Sequence, residues 1–346
     1  IGYFEDAGDA GDEYNFEPPK NQEVFTTLNL KARVDVAESF GDWATLRISH
    51  RFLIPQGLTA ERNRRSQRKV VCPIVTFVTL KRGVRRIEFR TVVGNNARDH
   101  RLRVAFPTGI PCRESLAESV FAVVSRPTAL PEAISPFELP VSTYPQERFL
   151  IVQGDGRGVA LLNKGLPEYE VTPDGVIFLT LLRCVGWLSR DDLRSRLGHA
   201  GPPYEVPEAQ CPGVHTFEYA LVPFRGSWQE ALPWLEAEAF TRPLLGARVA
   251  PGGSMPPSAS LLEVHPPQIA VSAVKWAEDG SGIVVRLWNV TGEEIAANVT
   301  FWREVKEAWE TNFLEEPLKP VRVEGRRVEF GMRPCEIKTM KIHFGG

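Results

Sequence analysis

The chain reads as an all-β protein, and three features of its 346 residues say so. From Trp43 onward apolar residues alternate with polar ones, as in Leu46 and Ile48, in Ile87, Phe89 and Thr91, and in Leu102, Val104 and Phe106. Side chains alternate faces along a strand, so this period of two marks half-buried antiparallel strands. Turn formers punctuate the runs: Asn95-Asn96, Gly154-Asp155-Gly156, Asn163-Lys164-Gly165, Pro173-Asp174-Gly175 and Asp279-Gly280. Helix is scarce, and neither GxGxxG nor GxxxxGK occurs, so sandwiches are expected and not βαβ units.

The first segment, Asp6 to Pro19, packs Asp6, Asp9, Asp12, Glu13, Tyr14 and Glu17 between two glycines and Pro18-Pro19. That composition argues against helix or core strand and for a solvated acidic loop. Its second reading is a rim for a polyhydroxylated or cationic ligand, with Tyr14 at the centre. Asp6, Asp9 and Asp12 lack the spacing of an EF-hand loop. The basic runs around Arg62, Arg64, Arg65 and Arg68, and around Arg82, Arg85 and Arg86, read as an exposed loop and a hairpin.

Further along, Asn95-Asn96-Ala97-Arg98-Asp99-His100-Arg101 gathers amide, carboxylate, imidazole and guanidinium groups at a strand start. A hydrogen-bonded corner explains it better than an acid/base pair. Gln153 to Gly165 reads as turn, buried strand and turn. Thr180-Leu181-Leu182-Arg183 ends an apolar strand in a cation that reaches either a ligand or an acid. Asp191 to Arg194 suits a helical turn or a loop. The clearest helix opens at Ser227 with Glu230 three residues on, a capping box, and sets Trp228, Ala231, Leu232, Leu235 and Ala239 at helical spacing. Pro233 inside it calls for a kink or a later start.

Ala250 to Ser258 is too rich in Pro and Gly for regular structure. A boundary is placed there, giving a large domain over 1–250, a linker over 251–258 and a small domain over 259–346. In the last of these, Ile283 to Asn289, Ala297 to Trp302, Val321 to Val323, Val328 to Phe330 and Thr339 to Phe344 make about five strands, enough for a small sandwich.

Bulk properties narrow the function classes. Lys and Arg number 41 against 43 Asp and Glu, for a net charge of −2, so no basic face invites nucleic acid. No run approaches the roughly 18 apolar residues needed to span a bilayer. Five scattered cysteines suggest neither a disulfide framework nor a CxxC metal site, and a reducing, cytoplasmic setting is expected. Without a signal-like segment, the Asn-x-Thr patterns at Asn289 and Asn298 are discounted. Starting at Ile1, the chain reads as a piece of something longer or a processed product. With no HExxH and no His-x-His, it nominates no zinc hydrolase site, and no acid pair stands out as a glycosidase dyad.

Several segments together carry a resemblance. They are Asp9 to Pro19, Val93 to Gly109, Gly158 to Val171, Leu179 to Gly186, Pro212 to Ala220, Ser272 to Lys275, Arg286 to Asn289 and Pro334 to Thr339. In this order and spacing the chain resembles the C-terminal half of family 38 glycoside hydrolases, the α-mannosidases. The resemblance implies a large galactose-mutarotase-like β-supersandwich followed by a small β-sandwich. It also implies a retaining enzyme whose aspartate nucleophile and zinc ligands, two His and two Asp, sit in an N-terminal barrel and helical bundle outside this chain. No segment here matches those motifs, so no catalytic or metal residue is assigned, and the chain alone is expected to be inactive. Tyr14 matches a tyrosine whose hydroxyl reaches the bound sugar, and Arg183 matches an arginine near the same pocket. The acidic loop then becomes a wall of the active site. The implied partners are a mannose-containing oligosaccharide, the missing domains and a second copy of the enzyme. The alternative is a stand-alone carbohydrate-binding or aldose-epimerase-like protein, for which His100, His199 and His215 are poorly paired with acids.

Overall fold

The structure is a computed structural model that describes residues 2–249, 252–254 and 256–345. Positions 250, 251 and 255 of the proline- and glycine-rich run lie outside the described residues. Chain contacts divide it into two compact units, the described residues of Ile1–Glu118 with Val124–Arg242, and those of Ser119–Val123 with Pro243–Gly346. Both are all-β.

The first unit is built on two antiparallel sheets. One has six strands in the order Thr143–Pro145, Glu168–Val171, Val176–Cys184, His100–Pro107, Tyr3–Gly8 and Val24–Thr26. The other has nine: Arg33–Ser39, Trp43–Pro55, Lys69–Lys81, Ile87–Asn95, Gly213–Arg225, Arg157–Asn163, Phe149–Gly154, Glu114–Ser119 and Ala122–Pro127. Their facing sides share one core that includes Phe52, Ile74, Phe89, Leu102, Leu161, Tyr169, Leu179 and Tyr219. The expected alternation is present, with Phe89 and Val93 buried on Ile87–Asn95 while Arg90 between them is exposed.

The strand His100–Pro107 departs from it, because both of its faces are covered. Arg103 on the second face is held between Glu5 and Glu170, and Arg101 lies 3.6 Å from Glu168. Ion pairing is what makes a polar face tolerable under cover.

The helical segment forms where the capping box placed it. Ser227 Oγ accepts from the Glu230 N–H, Glu230 returns a bond to the Ser227 N–H, and Trp228–Ala231 makes one turn. Leu232 then adopts φ 55°, and Pro233–Thr241 begins with its proline at the first position, where no N–H is needed. The segment 191–194 is a loop.

In the second unit an eight-stranded sheet runs Leu262–His265, Ile295–Phe301, Arg327–Met332, Pro317–Glu324, Val305–Thr311, Ile337–Phe344, Ile283–Asn289 and Ile269–Trp276. Its core holds Val285, Leu287, Val299, Phe301, Val328, Met340 and Ile342. Val305–Thr311 is an extra strand in the middle of that order, one that its lysine and glutamates disguise in sequence. Among the described residues no helix is long and apolar enough to cross a membrane.

Candidate functional site

The acidic N-terminal segment begins inside the sheet, and of its acids only Glu13 is exposed. Asp6, Ala7 and Gly8 close the strand Tyr3–Gly8, whose Ala7 and Gly8 pair with Arg101 and His100. Asp6, Asp9 and Asp12 are each fully buried. Burying three carboxylates is costly unless each is paired and hydrogen-bonded, and each is. Asp6 meets Arg65 Nη1 through Oδ1 and His100 Nδ1 at 2.5 Å through Oδ2. Arg65 is therefore a core residue and no part of an exposed loop.

Asp9 and Asp12 organise the loop that follows. Asp9 Oδ1 accepts the N–H groups of Gly11 (2.8 Å) and Glu17 (3.2 Å), and Oδ2 accepts Arg183 Nε at 2.9 Å. Asp12 Oδ1 accepts from the N–H of Tyr14 (3.0 Å) and of Asn15 (2.9 Å), while Oδ2 takes Arg196 Nη2 (2.6 Å) and the Arg190 N–H (2.8 Å). Glu17 holds Arg194 Nε at 2.7 Å and the Ser195 N–H at 3.0 Å. Phe16 lies under the Arg101 guanidinium, 3.6 Å from ring centroid to Cζ. Gly11 has to be glycine, since a Cβ there would sit 1.9 Å from the Asn15 carbonyl oxygen.

Two side chains of this loop, Glu13 and Tyr14, are left outward. Tyr14 is 53% exposed, and among the described residues its hydroxyl has no hydrogen-bond partner. Its ring is set by Arg196, whose Cζ is 5.9 Å from the centroid, and by Gly201, where a Cβ would approach the hydroxyl to 2.6 Å. Arg183 spends three N–H groups on the loop, donating to Asp9 and to the carbonyls of Glu13 (3.1 Å) and Asp12. It also lines a lateral cavity of about 440 Å³ with Lys164, Glu168, Thr180 and Thr216.

The carboxyls of this loop differ electrostatically. Burial pushes Asp9 above the ordinary carboxylate value, and the Arg183 charge only partly offsets that. At Asp12 burial pushes in the same direction but is outweighed by hydrogen bonds from Arg196, from the Arg190 N–H and from the Asn15 N–H, so its value falls below the ordinary one. Arg101 is pulled down to about 10 by burial and by its neighbour Arg103.

The Asn95 cluster is a structural corner. Asn95 Nδ2 donates to the carbonyls of Gln210 (3.0 Å) and Cys211 (2.8 Å), and its Oδ1 faces His100 Nε2 at 3.1 Å. His100 is fully buried with both ring nitrogens engaged, and His215 Nε2 bonds the Cys211 carbonyl, so neither offers the groove histidine of an epimerase. Among the described residues no group of three or more His, Cys, Asp or Glu is arranged to hold a metal ion. The three aspartates do not fit zinc, because their oxygens are taken up by guanidinium, imidazole and backbone donors.

Comparison with known proteins gives the geometry its context. The family model described as glycosyl hydrolases family 38 C-terminal domain matches residues 1–194. This chain belongs to glycosyl hydrolase family 38. A second model, the family 38 C-terminal beta sandwich domain, matches residues 268–340. A putative mannosylglycerate hydrolase of Halalkalibacterium halodurans is 27% identical over 360 residues, covering 99% of this chain and 38% of that protein. Alpha-mannosidase 2C1 of Homo sapiens is 27% identical over 272 residues, covering 77% and 24% respectively. The crystal structure of an alpha-mannosidase from Enterococcus faecalis V583 superposes with a TM-score of 0.85 at 30% identity, over 99% of this chain and 38% of that one. The chain thus corresponds to the C-terminal region of family 38 proteins and spans 38% of the length of the Halalkalibacterium protein and of the Enterococcus structure.

Tyr14 and Arg183 were named in the sequence through the resemblance. Arg65, Arg196, Glu17 and Gly201 were not identified as the parts that hold the loop. A buried acid needs a cation, so three buried aspartates call for arginines, but nothing local in the sequence says which.

Proposed function

We propose that this chain is the C-terminal, non-catalytic half of a retaining α-mannosidase acting on mannose-containing oligosaccharides, and that it completes the sugar pocket of a barrel and helical bundle in the rest of the polypeptide. On this reading residues 1–250 form a mutarotase-like sandwich, 251–258 a linker and 259–346 a small sandwich. The enzyme works in the cytoplasm, where its five free thiols stay reduced, and self-associates. Zinc and the nucleophile belong to the missing half, and the chemistry of bond cleavage is theirs.

One observation carries the proposal. A loop pinned through the carboxylates of Asp9, Asp12 and Glu17 presents a half-exposed tyrosine whose hydroxyl has no partner among the described residues. Rigid support is what a sugar contact needs, because the loop then pays no ordering entropy on binding. In this role Tyr14 Oη meets a sugar hydroxyl, and Arg183 braces the loop while facing the cavity beside it.

Two measurements test it. The chain by itself, given zinc, is expected to hydrolyse an aryl α-mannoside no faster than buffer, and turnover above that background would put catalytic groups in this half. In the complete enzyme, Tyr14→Phe should lower kcat/KM by about tenfold, the worth of one hydrogen bond, with an unchanged melting temperature. Unaltered kinetics would remove Tyr14 from the pocket.

A further inference from the structure

The basic segment around Arg62 to Arg68 and the corner at Asn95 to Asp99 meet at a second cavity of the first unit. It measures about 560 Å³, is walled in part by Gln56, Gly57, Arg68, Asn96, Arg98 and Asp99, and shares no residue with the cavity that Arg183 lines. Gln56 sets its two sides. The Gln56 N–H donates to the Arg68 carbonyl at 2.8 Å, and the Gln56 carbonyl accepts the Arg98 N–H at 2.9 Å, so backbone bonds fasten both arginines to one residue. Ser66 Oγ adds a bond to the Arg68 carbonyl at 3.0 Å. Both arginines are exposed, and among the described residues neither guanidinium has a hydrogen bond or an ion pair.

The one carboxylate in the wall is already answered. Asp99 Oδ1 accepts Arg62 Nη1 at 3.3 Å and Gln210 Nε2 at 3.0 Å, and the Asp99 N–H donates to Gln210 Oε1 at 2.8 Å. Arg62 Nε and Nη2 are buried with no acceptor among the described residues. Asp192, another acid that the Arg62 charge reaches, is held by Arg190 at 2.6 Å. Three guanidiniums therefore stand against one carboxylate at this cavity.

We propose that the cavity binds a small phosphorylated, hydroxyl-bearing molecule, its phosphoryl oxygens on Arg68 and Arg98. A phosphate monoester carries about −1.5 to −2 charge near neutral pH, which matches the local excess of two positive charges, and it offers oxygens to planar guanidinium forks. The neutral part of the wall serves the remainder of the ligand. Asn96 Nδ2 is spent on the Val71 carbonyl at 3.0 Å, which leaves its Oδ1 to accept, and the Gln56 side chain has no hydrogen bond among the described residues. Because backbone bonds already hold both arginines in place, binding orders side chains and not the chain. The site stands whether or not the chain completes a mannoside pocket.

Calorimetric titration of the full chain with inorganic phosphate tests it. Binding should be saturable and should tighten between about pH 5 and about pH 8, because the ligand loses its second proton near pH 6 while guanidiniums stay charged. Sulfate, a dianion throughout, should bind without that dependence. Arg68→Gln and Arg98→Gln are each expected to weaken phosphate about tenfold, the worth of a charged hydrogen bond, and together to abolish it. The melting temperature should hold, since neither side chain bonds to the protein, and Arg113→Gln, at an exposed arginine outside the cavity, should change nothing. Glycerol phosphate should bind more tightly than inorganic phosphate, and a tie would take the hydroxyl-bearing part out of the cavity. Absence of saturable phosphate binding, its survival in the double variant, or a pH dependence that sulfate shares would overturn the assignment.

Discussion

Replacing Asp6 with Asn is expected to lower the unfolding free energy of the first unit by about 3–5 kcal/mol, the cost of stranding a buried charge. The carboxylate is inaccessible to solvent, and so are the side chains of both its partners, Arg65 and His100. An amide accepts through one atom only and turns a donor toward a donor, so one partner loses its acceptor where water cannot replace it. The pair also fastens two parts of the fold, because Asp6 is the last acid of the strand Tyr3–Gly8 and Arg65 arrives from the connection before Lys69–Lys81. Urea midpoints measure the effect, with Asp35→Asn as the comparison. Asp35 pairs with Arg33 and Arg47 at the surface, where solvent screens the charges, and its loss should leave the midpoint in place. A second substitution, Arg65→Met in the Asp6→Asn background, should recover part of the loss by removing the stranded guanidinium. If Asp6→Asn moved the midpoint no more than Asp35→Asn, the buried triad would not be a stabilising element.

The same aspartate shows what sequence can and cannot reveal. Strands were legible wherever alternation was strict, as at Ile87–Asn95, and so was the helix pair, because a capping box and a proline are local signals. Asp6 defeated the reading because its partners lie 59 and 94 residues away, and composition alone makes an acidic, glycine-containing run look solvated. Val305–Thr311 was hidden for a related reason, since Lys306 and Glu307 point outward from a strand whose Val305 and Ala308 are core. Tyr14 and Arg183 entered through the family resemblance, not through any pattern of spacing. Their geometry could not be anticipated, because the fold spends Arg183 on carbonyls and on a carboxylate that is itself inside the protein.

That arrangement makes Arg183→Met the second substitution with a large effect, about 3 kcal/mol against stability, at the lower end for a buried pair because the arginine is itself 18% exposed. It removes the cation from Asp9 and the donor from the carbonyls of Asp12 and Glu13, so the backbone on both sides of Tyr14 loses a brace. The deficit should depend on pH, and its sign is fixed. Asp9 already binds its proton more tightly in the folded state than in the unfolded one, so its ionised form costs stability above that raised value. Protonation lifts the cost as the pH falls through it. Without Arg183 the value rises further, so the gap between variant and parent midpoints should be widest near neutrality and narrow in acid. Arg183→Lys keeps a charge but not the planar fork that reaches three acceptors at once, and should restore only part of the loss. On the proposed reading of the pocket, the Met variant of the complete enzyme should lose kcat/KM along with Tyr14→Phe, and the double variant should cost less than the two single losses combined, because both would act on one contact. A deficit that did not change with pH would show that Asp9 is not the group Arg183 neutralises.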